Sequence, residues 1–304
     1  MKHLRPGEYA FLLLSSNLGD PCRKPLTLAQ MRELFQRSNL MKRRDISRDV
    51  DVQDFVSIGY SVEFAQHVID LLQDEELLQY YLMQARKADC YPITRATEDY
   101  PAAVRQRLAL DSPGVLWVKG DRNILSLPKV ALVGSRDLQS DNAAFAIEVG
   151  RQAARQGYVL VSGNARGADK LAQNACLEAG GKVISVVADS LTEHRRKNDV
   201  LYLSENSFEE TFSAQRAISR NRVIHSLGYV TFVAQAKLRQ GGTWDGTEKN
   251  LRSGWSPVYS YADESIAQRT LADMGAIAIT IEQLQDFSAL PKPATDLFTM
   301  EGTL

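Results

Sequence analysis

Cysteine and long apolar runs are both scarce in this chain of 304 residues. The three cysteines, Cys22, Cys90 and Cys176, lie far apart and form no CxxC pair, so the sequence offers neither a disulfide framework nor a cysteine-based zinc site. No stretch is apolar for long enough to span a bilayer, and the run Ala10 to Leu14 is too short for the core of a signal peptide. These absences favour a cytoplasmic protein without a membrane anchor.

An excess of positive charge is also lacking, because 36 Lys and Arg residues face 37 Asp and Glu residues. A protein that coats duplex DNA through broad electrostatics is usually basic. If nucleic acid is the ligand, we therefore expect a local cluster of arginines to make the contact. His194 and His225 have no partner at metal or triad spacing, and no Walker lysine signature is present. The sequence predicts no metal site and no cofactor.

Residues 1–88 have the pattern of a small helical domain. Leu26 to Phe35 forms an amphipathic stretch with Thr27 as its N-cap, and Ser61 begins a longer helix with apolar residues at helical spacing. Residues 89–128 are punctuated by prolines yet too apolar for a free linker, so they are expected to pack on the domain that begins at residue 129. Residues 288–304, with two prolines and few apolar side chains, are expected to be a disordered tail.

Residues 129–287 alternate short apolar strands with helices. Val130–Val133, Tyr158–Val161 and Val183–Val187 each read as a buried strand that ends near a glycine or a polar loop. Further along, Ala214–Leu227 is predicted as one helix and Thr247–Ser253 as another. Such alternation implies right-handed βαβ crossovers. The predicted fold class is therefore α/β, with a doubly wound, mostly parallel, Rossmann-like sheet beside the small all-helical domain.

Glycine-rich loops come after the predicted strands. Ligands of open α/β sheets bind beyond the carboxyl ends of the strands, where glycine allows close backbone approach to an anion and arginine offers a planar fork for phosphate oxygens. Three such loops on one sheet edge would form a phosphate cradle. The loop candidates are Gly134, Ser135 and Arg136; Ser162, Gly163, Arg166, Gly167 and Asp169; and Gly241, Gly242 and Thr243.

Two alternatives stay open for the residues around these loops. Asp169 either contacts the ligand or caps the next helix. Arg220 and Arg222, on either side of Asn221 on the predicted helix that Ser213 caps, either reach the ligand or lie on a solvated surface. The basic run Arg195–Lys197 is interpreted as an exposed loop.

The motifs in their order resemble those of the DprA/Smf family, over about residues 91–259. The match is carried by Val130–Arg136 (VALVGSR), Val161–Gly163 (VSG), Ala165–Asp169 (ARGAD), Ser204-Glu205 and Arg220–Ile224 (RNRVI), with Tyr100-Pro101 and Pro113–Gly120 (PGVLWVKG) upstream.

This resemblance implies a non-enzymatic, ATP-independent protein that binds single-stranded DNA. It also implies a homodimer that helps to load the recombinase RecA during natural transformation. The family's pocket residues carry over to Gly134, Ser135, Arg136, Ser162, Gly163, Arg166, Gly167, Asp169, Asn221 and Arg222, with Lys170 as an addition from the same motif.

Several positions depart from the family pattern. Ala168 stands where an isoleucine is usual, Gln173 replaces a histidine, Gln235-Ala236 replaces a Glu-Ala pair, and Gly241–Thr243 replaces Ser-Gly-Ser. No segment resembles the C-terminal winged helix found in many members. These differences indicate a divergent branch of the family.

An enzyme is the main alternative. The segment from Gly241 to Glu248 is similar to a motif of the lysine-decarboxylase-like "lonely guy" proteins, in which an arginine and a glutamate support cleavage of nucleoside-monophosphate N-glycosidic bonds. Here Arg220 or Arg222 would hold the phosphate, and Glu248 would stabilise positive charge on the ribose. A nucleotide sensor that binds without turnover is a third hypothesis.

Overall fold

A computed structural model describes residues 6–41, 49–205 and 207–291 of the chain. They form two compact units. The first unit comprises the described residues of Met1–Gly120, Asp189–Arg196 and Tyr202–Phe212, and the second unit comprises those of Asp121–Ala188, Lys197–Leu201 and Ser213–Leu304.

The first unit begins with helices. They are α1 (Pro6–Ser15), α2 (Leu28–Ser38), α3 (Val52–Ser57), α4 (Val62–Gln73) and α5 (Glu75–Lys87). Thr27 caps α2 in a capping box with Gln30, as the sequence predicts, and Ser61 caps α4 through its side chain. Leu34 and Val68 lie in the apolar core between them. α1 was not predicted, because the apolar run within it has no polar face to reveal a helical period.

A buried arginine ties this helical part together. The Arg23 guanidinium donates hydrogen bonds to the carbonyl oxygens of Leu13, Ser16 and Leu71. It also pairs with the Asp74 carboxylate at 2.8 Å. These acceptors lie in or beside α1, α4 and α5, so one side chain joins segments far apart in sequence.

The same unit contains a small antiparallel arrangement of strands. Its strands are β1 (Tyr91–Thr94), β2 (Val115–Lys119) and Tyr202–Glu205 of β6 (Val200–Glu205), with α6 (Ala102–Leu108) between the first two. β1 and β6 both pair antiparallel with β2. The predicted connector thus contains two strands and a helix, and residues 89–120 fall within the first unit. The domain boundaries after residues 88 and 128 stay a prediction.

Six parallel strands form the sheet of the second unit. They are β3 (Lys129–Val133), β4 (Val159–Ser162), β5 (Val183–Val186), β7 (Thr231–Val233), β8 (Val258–Tyr261) and β9 (Ile277–Ile279). Their order is β5-β4-β3-β7-β8-β9, and all five neighbouring pairs are parallel. From β3 the next strands, β4 and β5, are added on one side of the sheet. From β7 the next strands, β8 and β9, are added on the other side. This confirms the predicted Rossmann-like fold and places a switch point between β3 and β7.

The helices of the second unit connect these strands. They are α7 (Ser140–Arg155), α8 (Ala168–Glu178), α9 (Ala214–Ser219), α10 (Asn221–Leu227), α11 (Gly241–Ser253) and α12 (Ile266–Asp273). α7 packs with α8, and α10 packs with α11. Right-handed crossovers in opposite directions along the sheet place these two pairs on opposite faces.

Two helix boundaries differ from the prediction. The predicted helix 214–227 is divided at Arg220, which ends α9 and begins α10. The helix predicted to start at Thr247 starts at Gly241. Because glycine has a low helix propensity, the sequence predicted that the helix begins only after Gly241, Gly242 and Gly246. In the structure, the side-chain amide of Asn221 donates a hydrogen bond to the Gly242 carbonyl oxygen at 2.8 Å and stabilises this first turn.

The end of the second unit is ordered further than predicted. A 3-10 helix covers Phe287–Ala289, Leu290 is buried, and the Tyr259 hydroxyl donates to the Pro291 carbonyl oxygen at 2.8 Å. Residues 292–304 of the predicted tail lie outside the described residues. In the part of the chain that the structure describes, no helix has the length and apolar character needed to cross a membrane.

Candidate nucleic-acid interface

A cavity of about 390 Å³ opens at the carboxyl ends of the central strands of the second unit. Its lining comes from the segments after β3, β4 and β7, together with α9 and α10. The Ser135 amide donates to the Gln235 carbonyl oxygen at 2.9 Å and joins the segments after β3 and β7. The cavity therefore occupies the switch point, which is the usual ligand site of an open α/β sheet.

Asp169 lines the cavity and holds the loop that follows β4. One carboxylate oxygen accepts hydrogen bonds from the backbone amides of Gly163 and Ala165, each at 3.1 Å. The N-cap of α8 is Gly167, so Asp169 does not cap the helix in the way that one of the alternatives supposed. Burial raises the pKa of the Asp169 carboxyl, while the Arg220 guanidinium and the two amides act in the opposite direction. Asp169 thus both lines the cavity and shapes it.

Two glycines allow this loop to approach its neighbours. A Cβ atom on Gly163 would overlap the guanidinium of Arg220, so this arginine can lie against the loop only because Gly163 has no side chain. Gly167 has φ +86°, and a Cβ atom there would lie 2.5 Å from the carbonyl oxygens of Ser135 and Arg136. Glycine is needed at both positions for close approach.

Three cationic side chains line the cavity: Arg136, Arg220 and Lys237. Arg136 and Lys237 are exposed, whereas only 7% of the Arg220 surface is exposed. One cation therefore lies deep in the cavity and two lie where it opens. Among the lining residues the carboxylates are Asp137 and Asp169.

The start of α11 lies against the segment after β3 and also lines the cavity. Gly241, Gly242 and Thr243 line the cavity, and the Thr243 hydroxyl donates to the Gly134 carbonyl oxygen at 3.0 Å. No side chain caps this end of a 13-residue helix. The positive end of the helix dipole thus adds to the charge of the arginines.

All of these lining residues lie within a segment that matches a known family. The family model of DNA recombination-mediator protein A matches residues 92–245, about half of the chain. The chain belongs to this family. The expected relationship to DprA/Smf proteins is thereby confirmed.

Curated relatives agree with this membership. The chain is 36% identical over 163 residues to DNA processing protein DprA of Streptococcus pneumoniae, covering 50% of this chain and 54% of that protein. It is 29% identical over 184 residues to DprA of Bacillus subtilis, covering 55% and 61%, and 31% identical over 142 residues to protein Smf of Escherichia coli, covering 43% and 38%. The matches thus span about half the length of these relatives.

Solved structures show the same fold. The X-ray structure of S. pneumoniae DprA is similar with a TM-score of 0.71 and 25% identity, covering 92% of this chain and 96% of that chain. DprA of Helicobacter pylori, whose structure is described in terms of its single-stranded DNA binding mode, gives a TM-score of 0.54 at 24% identity. That match covers 64% of this chain and 94% of the H. pylori chain.

The structure brings part of the predicted DprA-type site together. The predicted residues that line the cavity are Gly134, Ser135, Arg136, Asp169, Asn221, Gly241, Gly242 and Thr243. Those outside the lining are Ser162, Gly163, Arg166, Gly167, Lys170 and Arg222. Arg220, for which the sequence left ligand contact and a solvated surface open, is a buried residue that lines the cavity.

The residues outside the lining have other contacts. Ser162 is buried and accepts a hydrogen bond from Gln173 at 2.6 Å. Arg166 pairs with Asp137 at 2.7 Å on the surface, and Lys170 donates to the side chain of Asn164. These residues lie at the end of β4, in the loop after it and in α8, close in sequence to residues that line the cavity, but their side chains contact other groups.

Sequence reasoning missed Lys237 and the apolar face of α9. Lys237 comes shortly after β7, so its position beyond the carboxyl end of a strand was a signal that could have been used. The residues of α9 gave no such signal, because alanine and isoleucine on a helix usually indicate a core contact.

The groups considered for catalysis or metal binding have structural partners. Glu248 lies outside the cavity lining and accepts hydrogen bonds from the Trp244 indole at 3.1 Å and from Arg252 at 2.6 Å. His225 is fully buried and contacts the Asn250 amide through Nδ1 at 3.1 Å. Burial lowers its pKa to about 3, so it is neutral at ordinary pH. Among the described residues, no group of three side chains is arranged to hold a metal ion.

Proposed function

We propose that this protein binds single-stranded DNA through the cavity of the second unit, and that it acts as a recombination mediator rather than as an enzyme. The observation that carries the proposal is that the buried guanidinium of Arg220 and the exposed guanidinium of Arg136 line one cavity beside the uncapped start of α11. All three features attract phosphate.

The local character of the charge supports this ligand. The chain as a whole has a formal net charge of −1, so it has no broad electrostatic attraction for DNA. Arg136, Arg220 and Lys237 instead concentrate positive charge in one place, where Asp169 is already engaged by backbone amides. Binding then depends on a phosphate that enters the cavity. A flexible single strand can present one more readily than a stiff duplex can.

The family supports the biological role. Its members are described as mediators of DNA recombination, and the relatives named above are DNA processing proteins. We therefore extend the proposal to a homodimer that acts in the cytoplasm, loads RecA onto single strands and serves natural transformation. Assembly of RecA filaments on the strand, measured with and without this protein, tests the loading step. Light scattering of the purified protein tests the dimer.

The N-glycosidase alternative gains no support from the geometry. It needs Glu248 beside the arginine, Arg220 or Arg222, that holds the phosphate. Glu248 instead accepts hydrogen bonds from Trp244 and Arg252 and lies outside the cavity lining. A ribose bound in the cavity would therefore have no contact with the carboxylate that this reaction needs. Incubation with nucleoside monophosphates should release no free base.

The direct test is a titration of a fluorescent oligo(dT) strand with the wild-type protein and two variants. Arg136→Ala removes an exposed cation, and Arg220→Lys keeps the charge but loses the planar fork. We expect Kd to rise roughly ten- to one hundred-fold for Arg136→Ala, since hydrogen bonds to charged groups contribute about 1.5–3 kcal/mol each. The slope of log Kd against log salt should fall by about 0.7 per lost phosphate contact.

Arg252→Ala is the matched control. Arg252 is exposed, like Arg136, and pairs with Glu248 on α11, outside the lining. Its loss should leave Kd unchanged, and a duplex of the same length should bind more weakly to every protein. Equal binding by wild type, Arg136→Ala and Arg220→Lys would show that the cavity is not the DNA site.

A further inference from the structure

One side of α5 in the first unit is exposed although it carries large apolar side chains. Tyr80 is 58% exposed and Met83 is 43% exposed, in the middle of the helix. The opposite side is buried and consists of Leu78, Tyr81, Leu82 and Ala85. The ring of Tyr81 contacts those of Trp117 and Phe208, with centroids 5.4 Å and 4.9 Å away, so this packing fixes which side of α5 points outward. A surface helix normally presents polar residues there.

The exposed residues on this side follow a regular spacing. They are Glu76, Tyr80, Met83 and Lys87, which define the outer face of α5. Steps of four, three and four residues place side chains along one line of a helix, as in the seam of a coiled coil. Gln79, beside this line, donates a hydrogen bond to the Tyr9 hydroxyl of α1 at 3.0 Å. α1 therefore borders the outer face and leaves it exposed.

The outer face has opposite charges at its two ends. Glu76 lies in the first turn of α5 and Lys87 in the last turn, where the helix dipole favours each of them. The residues three and four positions away from them within α5 are glutamine, tyrosine and methionine. Neither charge therefore has a partner of opposite sign on its own helix. The face presents one acidic end, an apolar middle and one basic end.

This arrangement is complementary to itself. Glu76 and Lys87 lie equally far from the midpoint between residues 81 and 82, and so do Tyr80 and Met83. If two copies of the helix lie antiparallel about a two-fold axis at this midpoint, Glu76 of each copy faces Lys87 of the other. Tyr80 then faces Met83, and a methionine sulfur beside an aromatic ring is a favourable contact. An isologous contact needs this symmetry, because the same patch must fit itself.

We propose that the outer face of α5 is a self-association surface, at which two copies of this chain pair their α5 helices antiparallel. A nucleic-acid strand or an acidic peptide would meet Glu75 and Glu76 at one end of the face, and a basic peptide would meet Arg86 and Lys87 at the other. A second copy avoids both conflicts. α5 has 13 residues and is about 20 Å long. The contact is small beside a standard interface of roughly 1,200–2,000 Å², so the association is weak and depends on concentration.

Cross-linking of the whole chain tests this contact directly. Met83→Cys, combined with Cys22→Ser to remove the exposed natural thiol, places a thiol next to the two-fold axis. A short bismaleimide should join two copies, with a yield that rises with protein concentration. Gln66→Cys in the same Cys22→Ser protein, at an exposed position of α4, is the matched control and should give no more than background cross-linking.

Charge reversal tests the antiparallel register. Lys87→Glu makes both ends of the outer face negative, and Glu76→Lys makes both ends positive. Added to the Met83→Cys protein, each change should lower the cross-linked fraction by roughly ten-fold, because two ion pairs related by symmetry both become like-charge contacts. An equimolar mixture of the two charge-reversed proteins should restore cross-linking, since opposite charges then face each other. Damage to the fold would give no such restoration.

The possible outcomes separate this contact from other arrangements. Equal cross-linking of the Met83→Cys and Gln66→Cys proteins, or cross-linking that charge reversal leaves unchanged, would overturn the proposal. If the Met83→Cys thiol is protected from a monofunctional maleimide at every protein concentration, another segment of the same chain covers the outer face, and the proposal is wrong. A dimer in light scattering without cross-linking through Met83→Cys would place the homodimer contact elsewhere and would also overturn it. Cross-linking that charge reversal removes and mixing restores supports it.

Discussion

Arg23 in the first unit and Arg220 in the second unit are almost equally buried, with 9% and 7% of their surfaces exposed. Arg23 is surrounded by acceptors of the protein itself: three backbone carbonyls and the Asp74 carboxylate. Arg220 lies against Gly163, near the Asp169 carboxylate, and lines a cavity that opens to solvent. The same residue type thus joins helices in one unit and lines a solvent-open cavity, the proposed DNA site, in the other. Burial alone does not distinguish a structural arginine from a binding one.

The largest expected effect comes from removing the structural arginine. Arg23→Met leaves the carbonyls of Leu13, Ser16 and Leu71 buried without a donor, at about 1–3 kcal/mol each before the structure relaxes. We expect the free energy of unfolding to fall by roughly 3 kcal/mol in urea titrations. The Kd for oligo(dT), measured where the variant is folded, should not change.

Arg220→Lys should show the converse, with weakened DNA binding and a smaller loss of stability. Should Arg23→Met weaken DNA binding as much as it lowers stability, the distinction between the two arginines would be lost.

A second comparison is between a buried histidine, His225, and a partly exposed one, His67. Burial lowers the pKa of His225 to about 3, against an ordinary value of 6.5. The unfolded chain therefore takes up a proton below about pH 6.5, whereas the folded chain does not. The contribution of His225 to stability is complete above that pH and is lost as the pH falls toward 3.

The expected slope is about 1.4 kcal/mol per pH unit for this single group between roughly pH 6 and pH 4. Urea unfolding of wild type and His225→Gln across this range measures it as the difference between the two curves. His67→Gln, at a partly exposed position of α4, removes a histidine outside the core and is the control. Identical slopes for wild type and His225→Gln would contradict the buried, neutral state.

The smallest expected effect is at the opening of the cavity. Asp137 lines the cavity and pairs with Arg166 at 2.7 Å, and the two side chains are 70% and 78% exposed. Exposed pairs of this kind contribute about 0–1 kcal/mol. Asp137→Asn should therefore tighten DNA binding by about two- to five-fold, because it removes a negative charge from the lining and frees Arg166 to contact a phosphate.

Asp273→Asn, at the exposed end of α12, removes the same charge away from the cavity and should have little effect. Weaker DNA binding by Asp137→Asn would show instead that the ion pair holds the β3 and β4 loops in their binding geometry.

Much of the fold could be predicted because its signals are local. Strands such as Val130–Val133 are continuous apolar runs with a glycine directly after them, and the Thr27 cap is encoded by residues adjacent in sequence. The start of α11 at Gly241 could not be predicted in this way. Its first turn is held by Asn221, which lies 21 residues before Gly242, and by the carbonyl of Gly134, which lies 109 residues before Thr243.

In the candidate site, too, some features follow from local sequence and others depend on contacts between distant segments. By itself the sequence determined the family, the parallel sheet and the glycine loops at its carboxyl edge, since these depend on residue types and on spacing along the chain. The tertiary structure alone decided that Arg220 faces the cavity, that Arg166 turns to Asp137, and that α9 supplies an aliphatic wall. A side chain's direction depends on the turn that carries it and on what packs beside it, and those neighbours come from segments far away in the sequence.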